Sequence, residues 1–274
     1  MPAPLPPLTD DEAAAYLARL GVSVDRVRAM GRRAVDELAT AHLIAVPFEN
    51  LDQVFAGGVR HDLDAAVAKI LGGRGGWCFE LNGAFARLLS TLGVDVTLLG
   101  CAVLLDGPST VVEHLALEVS GGPSGLPPLL VDVGFGDSFV TPLELNRGGP
   151  QPGGNGQYEL IASPQGTTVT RLVDGVPEAT LRYKRVALSF DDFAGAALRL
   201  QSDPARSWST KPFASRLVGV DERVTLRHDA RSRRITQEDG SIETVVEPVE
   251  HHDDWDLTLR EWFGLERPGP WPPA

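Results

Sequence analysis

Residues 72–83 read GGRGGWCFELNG, and the reading of this stretch decides the rest of the chain. The first glycine pair, Gly72 and Gly73, ends one helical segment, and the second, Gly75 and Gly76, allows a tight turn. Residues 79–92 then place Leu81, Phe85, Leu88, Leu89 and Leu92 on one side of a new helix, which Gly93 ends. Cys78 therefore stands at a helix N-terminus. The unpaired backbone N–H groups and the helix dipole at that end favour a thiolate and are placed to hold an oxyanion, and the glycines leave room for a substrate to approach. The plain alternative is a packed thiol, because cysteine is among the most buried residue types.

Upstream, Thr9 and Glu12 form a capping-box start for a helix through Tyr16, Leu17 and Leu20 that ends at Gly21. Val27, Met30, Val35, Leu38 and Leu43 predict one helix over 24–45, stopped by Pro47, and Asp62 or Asp64 opens another that ends at Gly72 and Gly73. From Val94 the period changes. Aliphatic and β-branched runs at 94–105, 111–119 and 129–133, separated by turn clusters, read as strands of a sheet or barrel. Asp174-Gly175 between two alternating runs signals a hairpin. Beyond residue 186 the pattern is mixed: a helix over 190–200, strands over 223–235 and 242–246, and a last helix over 255–263 closed by Gly264. The division expected is 1–92 helical, 93–185 mostly β and 186–274 mixed.

The chain has 274 residues, 43% of them hydrophobic, enough for a sizeable core. Its N-terminus lacks a basic leader followed by an apolar run, and no later segment reaches membrane-spanning length, so a cytoplasmic location is expected. Two cysteines, Cys78 and Cys101, are then expected as free thiols, with no structural zinc site between them. A formal net charge of -12 disfavours nonspecific binding to nucleic acid or to an anionic membrane.

A nucleophilic thiol needs a base. Of the six histidines, His114 is the best candidate because it sits in the predicted strand 111–119, which fixes a side chain more rigidly than a loop. Asp132 follows, a carboxylate inside the apolar run LLVDVGFG (129–136), where burial demands a partner that an imidazolium would supply. Each alone reads as an ordinary sheet residue. Together, Cys78, His114 and Asp132 make a nucleophile, its base and the group that orients the base. Other clusters are weaker: His251-His252-Asp253-Asp254 suits capping and solvation ahead of the last helix better than a metal site. The glycine-rich 148–156 lacks the Lys-Ser or Lys-Thr ending of a phosphate loop. Arg223, Arg227, Arg231, Arg233 and Arg234 fit either phosphates of a ligand or the wet face of a hairpin.

At VPFENLD (46–52), RGGWCFELN (74–82), the strand bearing His114 and DVGFG (132–136), the chain resembles the arylamine N-acetyltransferases, in order across its first half. The resemblance implies an α+β fold of three domains: a helical bundle (1–92) carrying the nucleophile, a β-barrel (93–185) carrying the histidine and aspartate, and an α/β lid (186–274). The first two form a core similar to cysteine proteases and transglutaminases. It carries over the same triad, Cys78, His114 and Asp132. It also implies a pocket lined by Phe48 and Phe135, with Phe213 as a third aromatic in STKPF (209–213), where phenylalanine follows proline sooner than in the family pattern. The implied activity is a ping-pong transfer of acetyl from acetyl-CoA, a cosubstrate, through an acetyl-cysteine to an arylamine or arylhydrazine, without a metal. Arg74, Glu80 and Asn82 are expected as scaffold, the first two paired with each other or with backbone. Coenzyme A is polyanionic, so Arg231 and Arg233 are the expected phosphate contacts. Rival readings are an amide synthase of macrolactam formation, a thiol hydrolase or transglutaminase-like enzyme, and a noncatalytic binding module. The sequence leaves open the physiological amine, the acyl preference, a detoxifying or biosynthetic role, and the oligomeric state.

Overall fold

The structure, a computed structural model, describes residues 4–27, 31–173, 176–237 and 241–272. Thr9 and Glu12 exchange side-chain and backbone bonds to open the helix Asp10–Leu20, and Gly21 ends it in the left-handed conformation at φ 69°. Tyr16, Leu17 and Leu20 pack with Val35, Leu38 and Leu43 of the helix Arg32–Ala45 against Leu81, Phe85 and Leu88 of the helix Cys78–Thr91. The single helix expected over 24–45 is two, Val24–Val27 and Arg32–Ala45. Gly31, in extended backbone, is the N-cap of the second, where a glycine gives up helical structure more readily than any residue but proline; Met30 lies outside the described residues. Asp62, not Asp64, caps the helix Leu63–Leu71 by accepting from the Ala65 N–H at 2.9 Å.

The helix Cys78–Thr91 is buried on every face from Cys78 to Leu89. Its one-sided apolar pattern reflects the fact that its polar residues also point inward and are paired. Arg87, for example, donates to the carbonyls of Pro6 and Pro7 and to Asp64. Against this helix lies an eight-stranded antiparallel sheet in the spatial order Leu143–Glu144, Leu126–Val131, His114–Gly121, Asp95–Val103, Val176–Leu188, Gly166–Val173, Gln157–Ser163 and Gln151–Pro152. The sheet curls until its two edges nearly meet. There the Gln151 side chain accepts from the Glu144 N–H at 2.7 Å and donates to the Glu144 carbonyl at 3.1 Å, which satisfies edge groups that would otherwise be open for pairing. Val173 pairs with Val176 in the expected hairpin, whose Asp174-Gly175 turn lies outside the described residues.

A second antiparallel sheet runs Phe48–Glu49, Ala214–Leu217, Glu222–Leu226, Ala230–Thr236, Ile242–Pro248. Its first strand comes from the early part of the chain, so the sheet ties the helical region to the C-terminal third. Trp255, Leu259 and Phe263 of the helix His252–Phe263 cover Val224 and Leu226 of this sheet. That helix starts three residues before the expected 255, because His251 is its N-cap and Asp253 and Asp254 occupy its first turn, where carboxylates meet the positive end of the dipole. The expected helix 190–200 is a 3-10 turn, Phe190–Phe193, continued by Ala194–Ser202. Among the described residues no helix is long and apolar enough to cross a membrane.

Candidate active site

Cys78 is the first residue of its helix, and the turn before it is shaped by close backbone contacts. Gly76 N–H donates to the Pro47 carbonyl at 3.2 Å, and the Glu49 N–H donates to the Gly76 carbonyl at 2.8 Å. A Cβ on Gly75 would stand 2.1 Å from the Pro47 oxygen, so only glycine fits there. The thiol is buried but reaches the edge of a cleft, with Sγ 4.0 Å from the Glu113 carbonyl oxygen.

His114 opens its strand and is the end residue of the ladder, with Cys101 opposite. Residues 111–113, expected in the strand, lie outside it. The strand expected over 129–133 ends at Val131, so Asp132 sits just past the ladder. It leaves because its Oδ1 accepts from the Gly134 N–H at 2.9 Å, a local turn that competes with strand pairing. Its Oδ2 meets His114 Nε2 at 2.7 Å. With Nε2 held by the carboxylate, Nδ1 is the nitrogen left for the Cys78 sulfur. Burial works against charge on His114, but Asp132 and Cys78 outweigh it and raise the imidazole to about 10. The pairing with Asp132 thus favours the imidazolium form.

Asn82, one helical turn after Cys78, ties the three together. Its Nδ2 donates to Asp132 Oδ1 at 2.9 Å and to the Leu115 carbonyl at 2.6 Å, and its Oδ1 accepts from the Val133 N–H at 2.9 Å. The bottom of the site is sealed by Gly134, where a Cβ would lie 2.9 Å from Cys78 Cα. Arg74 and Glu80 are not partners of each other. Arg74 binds Glu49 at 3.2 Å and Asp52 at 2.9 Å, while Glu80 binds Lys69 at 3.0 Å and accepts from the Trp77 N–H at 3.2 Å. Lys69, which no sequence motif singles out, joins the two pairs by contacting Asp52 at 2.8 Å and Glu49 at 3.7 Å.

Cys78 and His114 line a cleft of about 1060 Å³ whose walls include Phe48, Trp77, Phe135, Trp208 and Phe213. Phe135 meets His114 edge-on at 5.2 Å. Trp208 stacks on Phe48 at 5.2 Å, and Phe213 meets Phe48 edge-on at 5.8 Å. Trp208 was not foreseen. It is held in place by Asn50 of the PFEN string, whose buried side chain donates to the Trp208 and Lys211 carbonyls at 2.6 and 2.9 Å and accepts from the Phe213 N–H at 2.8 Å. One asparagine thus folds segment 208–213 over the cleft. The structure does not bring Arg231 and Arg233 here: Arg231 pairs with Glu247 and Asp254, and Arg233 with Glu222. Lys211, Arg227 and His228 line the cleft instead. His252 stacks on Trp271 at 3.8 Å. Among the described residues no cluster of three or more metal-ligating side chains forms.

A family model described as N-acetyltransferase matches residues 33–268. The arylamine N-acetyltransferase / N-hydroxyarylamine O-acetyltransferase of Salmonella typhimurium is 36% identical over 154 residues, 54% of this chain and 52% of that protein. The match thus spans about half the length of that curated relative. Arylamine N-acetyltransferase 2 of Mus musculus is 27% identical over 274 residues, 92% of this chain and 93% of that one. Among solved structures, Mycobacterium marinum arylamine N-acetyltransferase in complex with CoA has a TM-score of 0.81 at 25% identity, with 92% of each chain covered. The Salmonella typhimurium enzyme has a TM-score of 0.83 at 25% identity, with 94% of this chain and 92% of that one covered.

Proposed function

This chain belongs to the arylamine N-acetyltransferase family, and we propose that it transfers acetyl from acetyl-CoA to aromatic amines or hydrazines through an acetyl-Cys78. The observation that carries the reading is the linked set of Cys78, His114 and Asp132 opening onto a cleft walled by aromatic rings. In the first half-reaction the Cys78 thiolate attacks the thioester carbonyl. The tetrahedral oxyanion meets helix-start N–H groups, then collapses with cleavage of the bond to coenzyme A sulfur, whose proton comes from the His114 imidazolium. In the second, the amine attacks the acetyl-cysteine, gives its proton to His114, and expels the Cys78 thiolate. Asp132 keeps the imidazole oriented through both halves and stabilises it whenever it carries the proton. Neutral His114 exists only transiently, after coenzyme A has left with the proton, which is when a weakly basic amine needs a base.

Phe48, Phe135, Trp208 and Phe213 present flat apolar faces suited to an aromatic acceptor. The chain is acidic overall, so phosphates need local cations, and Lys211, Arg227 and His228 along the cleft are better placed for them than Arg231 and Arg233. The division at 92/93 and 185/186 into nucleophile-bearing, base-bearing and lid regions completes the reading.

Intact-protein mass spectrometry after mixing with acetyl-CoA tests it. Wild type is expected to gain one acetyl group that an aromatic amine discharges, and Cys78→Ser none. Coenzyme A binding without an adduct would overturn the reading in favour of an acyl donor other than acetyl-CoA, such as an acyl carrier, or of no transfer at all.

A further inference from the structure

Beneath the turn that presents Cys78, five charged side chains from four segments meet, with Glu49 and Glu80 buried and Asp52, Lys69 and Arg74 partly so. Lys69 and Arg74 supply two positive charges; Glu49, Asp52 and Glu80 supply three negative ones. The Lys69 and Glu80 side chains are 12% and 7% exposed, so the surplus negative charge is not dispersed into solvent. Glu49 and Asp52 are each engaged twice or more: Glu49 by Arg74, Lys69 and the Leu51 N–H, Asp52 by Arg74 and Lys69. Among the described residues Glu80 has one cation, Lys69, at 3.0 and 3.1 Å. Its remaining bond is to the backbone, from the Trp77 N–H at 3.2 Å, immediately before the nucleophile. The same carboxylate presses on Gly76, where a Cβ would lie 2.7 Å from Oε2.

We propose that Glu80 and Lys69 are positioning residues that form a proton-sensitive catch on this turn, a role that rests on the acyl-transfer reading above. Ionised, Glu80 accepts from Trp77 and from Lys69 and fixes the backbone that carries Cys78. Protonated, it loses the charge that holds Lys69 and weakens its hold on the Trp77 N–H. The groups facing it are Lys69 from the helix Leu63–Leu71, Glu49 and Asp52 from the segment after Pro47, and Arg74 from the turn itself. Burial raises the Glu80 carboxyl, and Glu49 raises it further, while Lys69 and the Trp77 bond lower it; the balance is about 7. The catch therefore sets near neutral pH. His114, raised to about 10, does not change charge in that range. Replacing Glu80 separates a step at its carboxyl from one at the imidazole.

The test measures two rates against pH: single-turnover acetylation by acetyl-CoA and alkylation of Cys78 by iodoacetamide. Wild type is expected to acylate more slowly below a step near neutrality. Glu80→Gln keeps the acceptor for the Trp77 N–H and removes the titration, so its rate is expected to be flat from about pH 6 to 8. Lys69→Met is expected to move the step up by about one pH unit or more, since Glu80 loses its one cation, and Lys69→Arg to leave it in place. A purely structural role would lower both rates without moving the step. A step that survives in Glu80→Gln at the wild-type pH overturns the catch, as does a wild-type alkylation rate with no step. Thermal melts at each pH establish which variants are folded, and the wild-type profile decides if none is. Wild type that alkylates with the step but gains no acetyl group overturns the acyl-transfer reading and leaves the catch standing.

Discussion

His114 and His42 are both fully enclosed, one at 3% exposure and the other at 0%. They behave in opposite ways. His114 faces Asp132 and is raised to about 10, whereas burial and the nearby Arg19 push His42 down to about 3, with the Tyr16 hydroxyl bonded to its Nε2 at 2.9 Å. Both sit beside an aromatic ring, His42 against Phe85 at 5.1 Å and His114 against Phe135 at 5.2 Å. What separates the two imidazoles is their charged neighbours: the Asp132 carboxylate and Cys78 beside His114, and the Arg19 guanidinium near His42. Burial amplifies whichever partner is present, because the same low dielectric that penalises a lone charge strengthens a paired one.

Asp132→Asn tests this most severely, because it gives His114 a neutral partner like that of His42. Acylation of Cys78 is expected to fall by on the order of 10³–10⁴-fold with the fold retained, measured by single-turnover mass spectrometry and circular dichroism. Asn82→Ala leaves Asp132 in place but frees it from the helix. It is expected to slow acylation by roughly 10²-fold and to lower unfolding stability by about 1–3 kcal/mol, as it strips partners from Asp132 and the Val133 N–H.

The two histidines also predict opposite pH slopes. His42, with its folded pKa lowered, contributes stability that is present above 6.5 and lost as pH falls toward 3. His114, with its folded pKa raised, contributes stability that is full below 6.5 and lost as pH rises through about 10. Urea midpoints across pH should therefore drop on both sides, and Asp132→Asn should flatten only the alkaline side. Tyr16→Phe, which orphans His42 Nε2, is expected to cost about 1–3 kcal/mol without changing the acylation rate. The smallest effect is expected of Arg231→Ala with Arg233→Ala. These partly exposed pairs should change stability by no more than about 1 kcal/mol and leave coenzyme A affinity, measured by calorimetry, unchanged.

Much of the site is legible in residues 72–136 because its chemistry depends on residue type and order. A thiol after glycines at a helix start, a strand histidine and an aspartate in an apolar run identify themselves. Asn82 read as scaffold, and its position one turn after Cys78 is what lets it reach Asp132. Lys69 and Trp208 were not legible, since their partners lie at Glu80 and Asp52 and at Phe48 and Asn50, and no local pattern announces a contact across so much sequence. Arg74 and Glu80 were expected together because they are neighbours in the string. The cradle separates them: Arg74 sits on the outer side of the turn with Asp52, and Glu80 turns back under Trp77. The helix expected over 24–45 failed for a different reason, since a continuous apolar period does not reveal that Gly31 will take extended backbone.

By itself the sequence determined the α+β order of helices then strands, the helix that begins at Cys78, and the three residue types that the chemistry requires. These follow from periodicity, capping and intrinsic reactivity, which are local properties. Only the tertiary structure decided which nitrogen of His114 faces Asp132, that Phe48, Trp208 and Phe213 close into one wall, and that Arg231 and Arg233 are spent on surface carboxylates while Lys69 is drawn inside. Those outcomes depend on distances between segments far apart in the chain, and on the burial that turns a modest ion pair into a shifted proton equilibrium.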